Sequence, residues 1–163
     1  MPDIPDIPIP FIGRVIAVIK DVIVRLRNVS PVLHAQCIDY DESLNAYLIR
    51  MEVRPAERQY RFTELTVDGC DLMEAKSDFA DLGSPEKGLC WLHEIYTPDT
   101  TKGKLRSITY ETFIVAPKSV SPDPEIKRFY VIPKTPASLV KIHLKSAQWF
   151  ASLSCEVALK IEE

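Results

Sequence analysis

The chain has 163 residues and a formal net charge of −3, which is enough length for one sizeable core without disulfides or a metal to hold it. The acidic balance argues against a general nucleic-acid binder, which needs a basic excess. No apolar run approaches the roughly 18 residues of a membrane-crossing helix, and the four cysteines (Cys37, Cys70, Cys90 and Cys155) are scattered, as buried free thiols are.

The first ten residues, MPDIPDIPIP, are acidic and broken by proline. They lack the basic start and continuous apolar stretch of a secretory signal, so cytoplasmic synthesis is expected. Proline recurs at every third position, which suits a polyproline II arm with three residues per turn. Pro2, Pro5 and Pro8 then line one edge, Asp3 and Asp6 a second, and Ile4 and Ile7 a third. Such an arm has no internal hydrogen bonds and needs a surface to lie on.

Residues 11–28 open with FIGRVIAVIKDVIVRLR. Ile12, Val15, Ile16, Ile19, Val22, Ile23 and Leu26 recur at i, i+3, i+4 and i+7, so the spacing predicts an amphipathic helix. Arg14, Ala17, Lys20, Asp21, Arg25 and Arg27 fall on its other face. The competing reading is extended, because Val and Ile favour strands and residues 21–27 also alternate. It would need a turn near Lys20-Asp21, where no Gly, Pro or Asn stands. Asn28 and Pro31 end the segment.

From residue 32 to 163 the period changes to two, and this part reads as one domain. Strands are expected at Val32–Tyr40, Ala46–Arg54 and Gln59–Val67, with a bulge near Thr63-Glu64 and a turn at Asp68-Gly69. In the second strand only Leu48 breaks the alternation. Leu72, Met73, Phe79 and Leu82 suggest a one- or two-turn helix ending at Gly83. Leu89–Thr97 and Leu105–Val115 flank the turn-forming Pro98–Gly103 and suggest a hairpin. Strands at 126–132, 140–145 and 153–161 finish the chain. The thirteen prolines fall almost entirely between these segments. About eight strands with turn signals between them predict a mainly β fold, an antiparallel β-sandwich or jelly-roll-like domain.

No motif reaches catalytic specificity. The mirrored pairs His34/Cys37 and Cys90/His93 hold the donor types of a tetrahedral zinc site. Within strands, however, residues i and i+3 point to opposite faces, so no metal and no cofactor is expected. Asp39, Asp41, Glu42, Asp68 and Asp71 could serve calcium only if their turns shared one end of the domain. Acids are ordinary in turns. Cys90 lies in an apolar run, which suits an inert thiol. Aromatic positions open to a small ligand or peptide are Trp91, Tyr96, Tyr110, Phe129, Tyr130 and Trp149.

The expectation is therefore a non-enzymatic structural or assembly protein of the shell, virion or secretion-machine kind. Its core would pack with copies of itself, or with a partner in a larger assembly, through the arm and helix. A second expectation is membrane binding, because Arg14, Lys20, Arg25 and Arg27 make the helix basic. In layout alone the chain resembles pore-forming sandwich toxins with an N-terminal helix. A ligand- or peptide-binding module is the third.

Overall fold

A computed structural model describes residues 16–19, 31–77, 95–148 and 151–161. Nine strands follow in order: β1 (Val32–Asp41), β2 (Ala46–Arg54), β3 (Tyr60–Val67), β4 (Cys70–Ser77), β5 (Tyr96–Pro98), β6 (Ile108–Val115), β7 (Glu125–Pro133), β8 (Leu139–Ser146) and β9 (Leu153–Ala158). They form two antiparallel sheets, one of five strands ordered β1-β2-β7-β4-β5 and one of four ordered β6-β3-β8-β9.

Alternation explains the shared core. Ile49, Met51 and Val53 of β2 are fully buried, while Arg54 is exposed. With Phe129 and Val131 of β7 and Leu72 of β4 they join one cluster, which also takes Phe62 and Leu65 of β3, Phe113 and Val115 of β6, and Ile142 and Leu144 of β8. Both sheets thus bury their apolar rows in the same place. Phe62 and Phe113 meet edge to face at 5.3 Å, a favoured aromatic geometry. The expected bulge on β3 is present, as the register shifts between Phe62 and Glu64. At Asp68-Gly69 the chain leaves the four-stranded sheet for the five-stranded one, and Gly69 holds a φ of 66° that favours glycine.

Leu48, the residue that breaks the alternation of β2, has a structural reason. It is 4% exposed and belongs to a second cluster with Ala46, Met73, Tyr130 and Ile132 on the opposite face of the five-stranded sheet. The register sets Leu48 beside Tyr130 and Tyr130 beside Met73. A bulge between Cys37 and Asp39 frees Ile38 to pack against the same cluster. Both faces of this sheet are therefore apolar at its centre.

Three sequence readings need correction. Residues 70–77 are strand β4 and not a short helix, because Leu72 enters the shared core and Met73 the second cluster. That two-faced demand fits the strand period of two. Phe79, Leu82 and Gly83 lie outside the described residues. The hairpin across Pro98–Gly103 does not form, since β5 pairs with β4 while β6 pairs with β3 in the other sheet. Leu105 instead exchanges two backbone hydrogen bonds with Leu72, at 2.7 and 2.8 Å, so the chain follows the edge of β4 before changing sheets. Finally β9 stops at Ala158, and Ile161 is 43% exposed.

Truncation separates the two faces. Leu48→Ala is expected to cost about 2–5 kcal/mol in denaturant unfolding, as is Ile49→Ala in the shared core. A change at Leu48 within about 0.5 kcal/mol would mark that face as solvent-like.

Candidate interaction surfaces

The predicted helix face is described only at residues 16–19, which form a helical turn. Ile16 and Ile19 of that face are open, 48% and 53% exposed, and Val18 on another side of the turn is 60% exposed. Ile12, Val15, Val22, Ile23 and Leu26 of that face, and Pro2, Ile4, Pro5, Ile7 and Pro8 of the arm, lie outside the described residues. Chain direction then carries this segment into β1, the edge strand of the five-stranded sheet.

Leu33, Ala35 and Cys37 of β1 point toward the core, and Val32, His34 and Gln36 point away. Val32 is 59% exposed. The alternation separates His34 from Cys37, which is 3% exposed, so the two cannot chelate one ion from adjacent positions. Cys90 and His93 lie outside the described residues. Among the described residues, no three His, Cys, Asp or Glu side chains gather as a metal group.

The acidic turns do share one end of the five-stranded sheet, since Tyr47 pairs with Val131 and Cys70 with Pro133. Their carboxylates have separate duties. Asp41 Oδ1 accepts from Ser43 N at 2.9 Å, Ser43 Oγ at 2.6 Å and Leu44 N at 3.3 Å. The Ser43 hydroxyl foremost holds the Asp41 carboxyl below its usual range. Asp39 Oδ1 accepts from Tyr40 N. Asp68 Oδ2 meets His143 Nε2 at 3.0 Å, and Asp71 faces Lys134 at 3.9 Å.

The described cysteines are free thiols. Burial pushes Cys37, Cys70 and Cys155 upward in pKa. At Cys37 the backbone bond from Asp39 opposes that rise and the Asp39 charge adds to it. Raised thiols are poor nucleophiles at neutral pH.

The aromatic candidates divide by environment. Phe129 is core, and Tyr130 sits in the second cluster with its hydroxyl donating to the Tyr96 carbonyl at 2.7 Å. Tyr96 and Tyr110 are half-buried near one cleft, while Trp91 and Trp149 lie outside the described residues. That cleft is lined by Glu74, Ala75, Ile108, Tyr110, Lys127 and Arg128. Lys127 Nζ lies 5.1 Å from the Phe113 ring and 5.8 Å from that of Tyr110, within cation–π range. Arg128 stacks 4.4 Å over Tyr96 and donates to its hydroxyl at 2.6 Å. Burial first, then the Glu74 charge, raises the Tyr110 phenol. The cleft mixes two cations with Glu74, which is already paired with Lys102. Its cations and rings are engaged with each other.

Sequence reasoning missed Asp99, whose signal was the turn string PDTTKG. Asp99 is 5% exposed, and its Oδ1 accepts from Thr101 Oγ1 at 2.5 Å and Thr101 N at 3.2 Å, with Lys76 Nζ at 3.3 Å. Its own N–H donates to Glu74 O at 2.7 Å. This knot anchors the chain where it leaves β5 for the other sheet.

Comparison with protein-family models and with curated proteins finds no match to this chain.

The Thr101 hydroxyl, and after it Lys76, lowers the Asp99 carboxyl below its usual value, which is about 3.9 unfolded. A lowered folded pKa stabilises above the unfolded value and is lost as pH falls through the folded one. Asp99→Ala is thus expected to melt at a lower temperature than the parent at pH 7, with the gap closing below about pH 4. A gap that stays constant on acidification would contradict this role.

Proposed function

We propose that this chain is a non-enzymatic assembly protein: a β-sandwich or jelly-roll-like core that packs with copies of itself, or with a protein partner, through its N-terminal arm and helix. Components of shells, virions and secretion machines use such a layout. The single observation behind this reading is the open apolar turn at Ile16, Val18 and Ile19. An isolated amphipathic helix draws most of its stability from a surface that covers its apolar face, and of that face the described residues leave Ile16 and Ile19 open. The buried cluster shared by both sheets supports the sandwich reading.

The same turn favours a second reading. Arg14 and Lys20 flank it in sequence, and a basic amphipathic helix can lie in an anionic lipid interface. No described helix is long and apolar enough to cross a membrane. Protein assembly is preferred because the chain as a whole carries a net charge of −3, which weakens its attraction to an anionic surface.

Light scattering on the full chain and on a chain lacking residues 1–27 tests the assignment. The full chain is expected to show a multiple of the 18.5 kDa monomer mass, and the deletion a smaller mass. A full-length monomer at high concentration that captures no partner would overturn assembly. Flotation of that monomer with phosphatidylserine vesicles at moderate salt would then support the lipid reading.

A further inference from the structure

The cleft of about 260 Å³ lined by β4, β6 and β7 draws its residues from both sheets. Two features of the chain build it. Lys127 stands opposite Met51 in the β2–β7 ladder, and directly opposed residues share a face. Met51 is fully buried in the shared core, so Lys127 points between the sheets, where it is half-buried. The second feature is the slip in β6, whose register against β3 shifts between Thr109 and Phe113. A regular strand sends residues three apart to opposite faces. The slip re-aims them, so Tyr110 and Phe113 both pack on the shared core. Their rings meet at 5.0 Å and lie beneath Lys127 Nζ.

Lysine is rarely turned inward without an acidic partner. Among the described residues Lys127 forms no ion pair, and the Tyr110 hydroxyl makes no hydrogen bond. The rings attract the ammonium charge but give it no oxygen acceptor. Burial foremost raises the Tyr110 phenol, so the hydroxyl keeps its proton and can donate. The other charged groups of the cleft are occupied. Glu74 is paired with Lys102, and Arg128 donates to the Tyr96 hydroxyl. Two donors are thus left over, an ammonium and a phenol, beside the apolar Ile108.

We propose that this cleft binds a small organic carboxylate with a short apolar tail. One carboxylate oxygen accepts from Lys127 Nζ and the other from the Tyr110 hydroxyl, and the tail lies along Ile108 and the Tyr110 ring. The volume falls below the roughly 300–1,000 Å³ of drug-sized sites, which keeps the tail short. An inorganic anion matches the charge and leaves the apolar wall wet. A neutral alcohol covers the wall and leaves the ammonium unpaired. The site uses neither the arm nor the helix, so it stands apart from the assembly reading.

Titration of the full chain with hexanoate, followed by nuclear magnetic resonance, tests the assignment. Saturable shifts are expected at Ile108, Tyr110 and Lys127. Hexanol and inorganic phosphate are expected to bind at least about tenfold more weakly. Lys127→Met keeps the unbranched side chain and removes the charge. It is expected to weaken hexanoate by about tenfold or more, with the melting temperature held within a few degrees, because the cation removed has no ion partner among the described residues. Tyr110→Phe is expected to weaken it roughly two- to tenfold, the worth of one hydrogen bond. The absence of saturable shifts with hexanoate overturns the assignment. So does equal binding of hexanol or phosphate, or an unchanged affinity in Lys127→Met.

Discussion

Everything else in the five-stranded sheet depends on the run Phe129-Tyr130-Val131-Ile132, which is buried on both faces of β7. Phe129 and Val131 enter the core shared by the two sheets, while Tyr130 and Ile132 enter the second cluster. The neighbours are matched to it position by position. Ile49 and Glu74 flank Phe129, and Leu48 and Met73 flank Tyr130. A strand apolar on both sides must lie inside its sheet and under cover. That constraint places β2 and β4 beside β7 and leaves β1 and β5 at the margins.

From this follows a division of labour. The centre of the five-stranded sheet is committed to packing, and the outward face of β8 is polar, with Lys141 and Lys145 exposed and His143 held to Asp68. Burial raises the Cys37, Cys70 and Cys155 thiols, and the Asp41 carboxylate is tied into its own turn. Among the described residues the large apolar side chains that stay open are Ile16, Val18, Ile19 and Val32 on the N-terminal side and Ile95, Ile114, Val120, Leu139 and Ile161 elsewhere.

Much of this was legible in the sequence wherever one rule acted alone. The alternation of Ile49, Met51 and Val53 marked a buried face, the phase slip at Thr63-Glu64 marked a bulge, and Asp68-Gly69 marked a turn. Reading failed where two demands met in one strand. Leu72 and Met73 look like helical spacing because neighbouring residues are both apolar, yet each serves a different cluster. Leu48 looked like an error in β2 for the same reason. The false hairpin across Pro98–Gly103 had correct turn chemistry but the wrong partners, since local sequence does not say which sheet a strand will join. Among candidate sites, the His34/Cys37 pair was judged by strand geometry, and the exposure of His34 and burial of Cys37 follow that geometry. Asp99 escaped because its burial depends on Glu74 and Lys76, which are distant in sequence.

The central claim is that the centre of the five-stranded sheet is committed to packing on both of its faces. Backbone hydrogen exchange addresses it directly. The prediction is that the amides of Leu48, Met73 and Tyr130 exchange only through global unfolding, as slowly as those of Ile49 and Phe129. Exchange of Leu48, Met73 and Tyr130 through a local opening, well ahead of Ile49 and Phe129, would contradict it.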